Sequence, residues 1–166
     1  LPAKFDVYPD MLEASGYYVG YTRKGWSPGF IEPGGRKRNP AGRGYKDFAA
    51  FMKDRDKGKP FCFWFGSHDP HRAYEWKSGV ESGMSIEDVR IPGPLPDSET
   101  VRMDVCDYYW EIQRFDREVG ELIEVLEEAG ELDHTMVVMT GDNGMPFPRC
   151  KSNLYDRGTN VPLAVR

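Results

Sequence analysis

Two kinds of hydrophobic pattern alternate along the chain. Phe61-Cys62-Phe63-Trp64-Phe65 and the run from Thr135 through Met136, Val137, Val138 and Met139 to Thr140 are unbroken apolar stretches bounded by turn residues. Such runs read as buried strands. Between them, Val105, Tyr108, Tyr109, Ile112, Phe115, Val119, Leu122, Ile123 and Leu126 recur at three- and four-residue steps. That is the stripe of a long amphipathic helix over 101–129, with Gly130 as its stop. Weaker patterns predict a short helix over 8–16, with Pro9 in its first turn and Gly16 closing it. They also predict a strand over 17–22, a helix over 45–53 with Phe48, Phe51 and Met52 on one side, and strand-like 161–165. Residues 27–44, dense in Gly and Pro, read as a long loop, either functional or a solvated excursion. Residues 72–100 read as an irregular insertion over a sheet edge. A strand, a helix and a strand in that order favour parallel pairing by a right-handed crossover. The fold class is α/β, without internal repeat or heptad array.

Composition narrows the picture. A chain of 166 residues is long enough for one domain with a core. Its net charge of -5 and pI near 5.3 argue against a general nucleic-acid binder. An anionic substrate remains open, because a few placed cations and a metal can dominate locally. No apolar run approaches the roughly 20 residues that span a bilayer. Cys62, Cys106 and Cys150 have neither zinc-site spacing nor the look of a disulfide framework. The chain starts at Leu1 and stops at Arg166 beside a strand-like segment, which reads as an internal piece of a larger protein or a truncated product.

Candidate chemistry gathers after the two apolar runs. In open α/β sheets, ligands bind beyond the carboxyl ends of the strands. Asp142 and Asn143 follow one run directly and offer oxygen ligands to a hard cation. Lys151 comes soon after and can set a positive charge beside that cation, which suggests a site for an anion held on a metal. Asp, Asn and Gly are also the commonest turn formers, so the same residues read as a tight turn. The other run ends in His68-Asp69-Pro70-His71. Two histidines around a proline at a strand end favour a catalytic reading over a structural one, with His71 able to donate a hydrogen bond or a proton near neutral pH.

The string Asp142-Asn143-Gly144-Met145-Pro146-Phe147-Pro148-Arg149-Cys150-Lys151-Ser152-Asn153-Leu154-Tyr155-Asp156-Arg157-Gly158-Thr159-Asn160-Val161-Pro162-Leu163 resembles the sulfatase family, above all its heparan N-sulfatase-like (sulfamidase-like) branch. There a DNG-x-PFP-x-x-K/R-x-NLY-x-x-G-T-x-x-PL run is typical. His68-Asp69-Pro70-His71 is similar to the family's H-x-P-H motif. Gly16 through Lys24 is similar to its G-Y-x-T-x-x-x-G-K element, with Arg23 in place of the usual glycine and Trp26 where many members carry histidine.

The resemblance implies an alkaline-phosphatase-like three-layer α/β/α sandwich with a mostly parallel sheet, incomplete here, and 1–166 as part of a single sulfatase catalytic domain. It implies His71, Lys24 and Lys151 as catalytic residues and Asp142 and Asn143 as ligands of a divalent metal, calcium first and magnesium second. His68 and Arg149 become substrate contacts, although His68 also reads as a support for the loop and Arg149 as a solvent-facing charge. Arg36-Lys37-Arg38 becomes a glycan contact. The family's nucleophile, a formylglycine made in a C/S-x-P/A-x-R motif, has no match in this sequence and is expected upstream with a further pair of metal aspartates. The expected activity is hydrolysis of a sulfate ester or N-sulfo group on a sulfated carbohydrate or other small sulfate ester. This chain by itself is expected to be inactive. The expected compartment is periplasmic, secreted or lysosomal. Three alternatives stay open: a phosphodiesterase or phosphonate hydrolase of the same superfamily, a non-catalytic sulfated-glycan binding remnant, and an incomplete product without a stable fold.

Overall fold

The computed structural model describes residues 1–26 and 29–166, and the chain divides after His68 into two units, Leu1–His68 and Asp69–Arg166. Ser27 and Pro28, at the start of the loop predicted over 27–44, lie outside the described residues. The first unit opens with α1 (Tyr8–Ala14), started by Pro9 and followed by Gly16 at φ 95°. A three-stranded parallel sheet follows in the order β2-β1-β3, with β1 (Tyr18–Arg23) central, β2 (Arg43–Tyr45) on one side and β3 (Phe61–Gly66) on the other. The register runs from Tyr18 opposite Phe61 to Arg23 opposite Gly66.

The helix expected over 45–53 is α2 (Phe48–Asp54). It starts later because Tyr45 is drawn into β2 and the Asp47 carboxylate caps the helix, accepting the Ala50 N–H at 2.7 Å. The fully buried Phe51 ring packs on the rings of Phe63, Tyr45, Tyr18 and Phe61, with centroids 4.7, 5.3, 5.5 and 5.8 Å away. Gly20 in the central strand makes room for this cluster, since a Cβ there would stand 2.8 Å from both Phe51 and Tyr45 ring atoms. The apolar run of β3 is half-buried rather than wholly buried, because only one of its faces meets α2. Trp64 on the other face is exposed and donates its indole N–H to the Lys24 carbonyl at 2.9 Å.

The second unit is organised on α4 (Glu99–Glu128), capped by Ser98 and matching the predicted stripe. Its Val105 and Cys106 form a core with Val89, Phe147 and Cys150. The segment expected to be irregular contains α3 (Ser78–Glu81) and a 3-10 turn at Ile86–Asp88, both against α4. Gly79 permits that approach: a Cβ there would lie 2.6 Å from the Cys106 backbone. The chain ends with β4 (Val138–Thr140), α5 (Asp156–Thr159) and β5 (Leu163–Val165).

The expected parallel pairing of 61–65 with 136–140 is corrected by the strand ladders. β3 pairs with β1, whereas β4 pairs antiparallel with β5, Val138 opposite Val165 and Thr140 opposite Leu163. The loop between β4 and β5 folds back on itself and returns the chain alongside β4. Neither strand is buried: Val138 is 51% and Val165 60% exposed.

Candidate functional site

In the first unit, Lys24 and His68 stand just past the carboxyl ends of the adjacent strands β1 and β3. The Lys24 N–H donates to the Gly66 carbonyl at 3.0 Å. A Cβ on Gly66 would lie 1.9 Å from the Lys24 carbonyl oxygen, so this approach is open only to glycine. Arg23 has φ 59°, the left-handed region that glycine favours, and its guanidinium lies 5.1 Å from the Phe65 ring centroid. The backbone therefore keeps a glycine-type conformation at the position where the family's usual glycine is replaced. The side chains of Lys24 and His68 have no hydrogen-bond or ion-pair partner among the described residues.

In the second unit, His71 is exposed on the turn that follows Asp69. Its Nδ1 meets the Arg72 carbonyl oxygen. A carbonyl only accepts, so Nδ1 is the donor and Nε2 is left with no partner among the described residues. The turn is pinned to α4 by charged groups. Asp69 forks with Arg114 at 2.8 and 2.9 Å, and Arg72 forks with Asp104 at 2.6 and 2.8 Å. The buried Asp107 carboxylate accepts the backbone N–H groups of Lys77 at 3.0 Å and Gly79 at 2.9 Å. Arg72 also donates from Nε to the Pro146 carbonyl at 3.1 Å and lies over the rings of Tyr74 and Phe147. One guanidinium thus ties the turn bearing His71 to the loop that follows Asp142.

That second loop is shaped by its backbone. The Gly144 N–H donates to the Gly158 carbonyl at 3.0 Å, and a Cβ on Gly144 would stand 1.8 Å from the Arg157 carbonyl oxygen. A Cβ on Gly158 would stand 2.2 Å from the Asn153 oxygen and 2.4 Å from that of Cys150. The Met145 carbonyl receives the N–H of Lys151 at 3.0 Å, while Arg149 and Ser152 turn through φ 63° and 64°. The two glycines of the long motif are therefore the contact that folds the loop. The side chains of Asp142, Asn143, Arg149 and Lys151 make no hydrogen bond or ion pair among the described residues, and Asp142 and Arg149 are exposed.

Asp142 and Asn143 supply a carboxylate and an amide oxygen, a donor set that suits a hard divalent cation. Among the described residues no group of three or more His, Cys, Asp or Glu converges on one point. Cys106 and Cys150 are wholly buried and Cys62 lies in β3; burial pushes the Cys62 and Cys106 thiols up. Of the basic run, Arg36 is committed to Asp10 at 2.8 Å and the Phe5 carbonyl at 2.6 Å, which corrects its reading as a glycan contact. Arg38 pairs with Glu13, and Lys37 is exposed.

Sequence reasoning passed over Arg72, Asp104, Asp107, Glu111 and Arg114. The signal was available: the four on α4 recur at three- and four-residue steps beside the apolar stripe.

The sulfatase family model matches residues 3–166. N-sulphoglucosamine sulphohydrolase of Homo sapiens is 34% identical over 136 residues, covering 69% of this chain and 27% of its own length. An ulvan-active sulfatase of Formosa agariphila is 38% identical over 76 residues, covering 46% of this chain and 13% of its own. The chain therefore spans 27% or less of these curated relatives. A solved chain described under the metabolism of multiple glycosaminoglycans by Bacteroides thetaiotaomicron matches with a TM-score of 0.56 at 22% identity, over 71% of this chain and 28% of that one. No helix among the described residues is long and apolar enough to cross a membrane.

Proposed function

The chain belongs to the sulfatase family, with the α/β fold of the alkaline-phosphatase-like class, and on that premise we propose that residues 1–166 form part of the single catalytic domain of a hydrolase that cleaves sulfate esters or N-sulfo groups on sugars. One observation carries the reading. The loop after β4 spends its backbone and its glycines on its own folding and leaves Asp142, Asn143 and Lys151 uncommitted.

Asp142 and Asn143 would hold a divalent cation, calcium or else magnesium, which when bound polarises a sulfate oxygen. Lys151 and Lys24 bring ammonium groups to the sulfate oxygens, where negative charge grows as the bond to the leaving group breaks. Nε2 of His71 faces the departing oxygen or nitrogen, since Nδ1–H is engaged by the Arg72 carbonyl, and in its imidazolium form the ring can give the Nε2 proton to that atom. His68 and Arg149 contact the rest of the substrate. The attacking group, a formylglycine, belongs to a segment outside the three cysteines of this chain. The relatives named for N-sulphoglucosamine and for ulvan favour a sulfated carbohydrate as substrate.

The test is turnover by the complete protein of an aryl sulfate, a sulfated sugar and an N-sulfated sugar, against an aryl phosphate. We expect sulfate or sulfamate cleavage that a calcium chelator abolishes and that Asp142→Ala lowers at least about a hundredfold. Preferred cleavage of the phosphate, or full activity in Asp142→Ala, would sink the reading.

A further inference from the structure

Where β1 and β2 begin and the chain enters β3, the first unit holds a cleft of about 280 Å³. It lies at the opposite end of β1 from Lys24. The 6 residues of that strand, at about 3.3 Å each, set the two ends roughly 20 Å apart. A sugar ring that presents its sulfate to Lys24 therefore does not reach the cleft.

The walls of the cleft are of two kinds. Tyr17, Tyr18 and Tyr45 supply flat aromatic surface, and Arg38, Arg43 and Lys59 supply positive charge. The Tyr18 and Tyr45 hydroxyls stand 2.8 Å apart, and each lies 2.9 Å from the same oxygen of Asp54. That oxygen also receives Nη1 of Arg43 at 2.7 Å. The network fixes both rings and leaves Nε and Nη2 of Arg43 with no hydrogen bond among the described residues. The one acid in the cleft wall, Glu13, is held by Arg38. Lys59 is exposed, and its ammonium has no hydrogen-bond or ion-pair partner among the described residues. With both ion pairs formed, the cleft keeps an unmatched positive charge in a chain whose net charge is -5.

Aromatic faces beside cations suit a sugar that carries an acid group. The apolar C–H face of the ring lies on the aromatic plane, and guanidinium and ammonium donors take the anion. The volume is close to the lower limit of small-molecule sites, about 300 Å³, which fits a single sugar unit rather than a long segment. We propose that this cleft is a second carbohydrate site, holding one anionic sugar unit of a longer chain through Arg43, Lys59 and the tyrosine faces. That the chain is sulfated rests on the function proposed above; the site itself does not. A chain held here keeps its other units at a raised concentration around the protein, because they are linked to the bound one.

The experiment measures, by calorimetry on the complete protein, the affinity for long heparan sulfate and ulvan chains and for N-sulfoglucosamine alone. It compares the wild type with Lys59→Glu, Lys59→Arg and Tyr17→Ala, with thermal unfolding and aryl sulfate turnover as controls. We expect Lys59→Glu and Tyr17→Ala each to weaken binding of at least one of the chains about tenfold. Lys59→Arg should bind like the wild type, and kcat and KM for the aryl sulfate should be unchanged in all three variants. Equal chain affinity in wild type, Lys59→Glu and Tyr17→Ala would overturn the proposal, as would a wild type that binds neither chain. A loss in Lys59→Glu alone would reduce the effect to general charge attraction and overturn the sugar site. A loss of equal size for N-sulfoglucosamine would make the occupant a free sugar and overturn the chain. A matching rise in KM for the aryl sulfate would place the effect at the catalytic end and overturn the proposal too. Chain binding lost in both variants of a protein that cleaves no sulfate would uphold the site and overturn only the sulfatase reading.

Discussion

The turn after Asp69 and the loop after Asp142 both carry proposed site residues, yet they are held by opposite means. The turn is clamped by charged side chains, Asp69 to Arg114, Arg72 to Asp104, and Asp107 to two backbone N–H groups. The loop is held by glycines packed against carbonyls, with Asp142, Asn143, Arg149 and Lys151 left without a partner among the described residues. A segment that uses side chains as clamps has fewer to offer a ligand, and here His71 keeps its Nε2 spare among the described residues. A segment folded mainly through its backbone keeps the side chains proposed to act free. In the turn the clamping side chains are the sequence neighbours of the one proposed to act, whereas in the loop the backbone holds the fold and the side chains proposed to act stand apart from it.

Substitutions can break this contrast. Asp107→Ala leaves two N–H groups beneath α3 without an acceptor and should cost about 3 kcal/mol in urea unfolding; a loss under about 1 kcal/mol would show that the clamp is not electrostatic. Gly144→Ala forces a Cβ to within 1.8 Å of the Arg157 oxygen. It should cost at least about 2 kcal/mol by the same measurement, and a neutral result would mean that the loop does not depend on its glycines.

The clamp also has a pH signature. Glu111 holds its proton in the folded chain to about 7, against 4.5 for an unperturbed carboxyl. The folded state therefore binds more protons across that window, and stability should fall by about 2 kcal/mol as pH rises from 4.5 to 7. Asp10, Asp54 and Asp97 have lowered carboxyls that lose their stabilising contribution as pH falls, but they act below 3.8, outside the window. Glu111→Gln should flatten the slope of unfolding free energy with pH, and an unaltered slope would remove Glu111 as its source. The smallest effect belongs to Asp142→Ala, which should change stability by less than about 0.5 kcal/mol while abolishing calcium binding in the complete protein by calorimetry. A large stability loss there would mean that Asp142 is a turn former, the reading left open by its sequence.

The sequence made some of this plain and hid the rest for physical reasons. The stripe from Val105 to Leu126 announces α4 because a helix repeats its buried face locally. Asp142 and Asn143 stand out because an abrupt switch from apolar to polar marks a strand end. The pairing of β4 with β5 was not legible, since it depends on Gly144 meeting Gly158 across a loop whose path no periodicity encodes. Asp107 and Glu111 were missed because acids on a helix ordinarily face water. What makes them different is the turn from Asp69 to Gly79 lying over them, a partner remote in sequence. Arg36 misled in the other direction: a basic run suggested a ligand surface, and its first member was already taken by Asp10.

Arg72 bears on the order of folding. Its bonds reach 32 residues forward to Asp104 and 74 forward to the Pro146 carbonyl. Contacts of such separation close large chain loops and form late, after local helices have made their ends meet more often. Both loops of the second unit should then become ordered in one late step, with α4 already formed. Substitutions at Arg72 should slow that step where substitutions within the α4 stripe slow an earlier one.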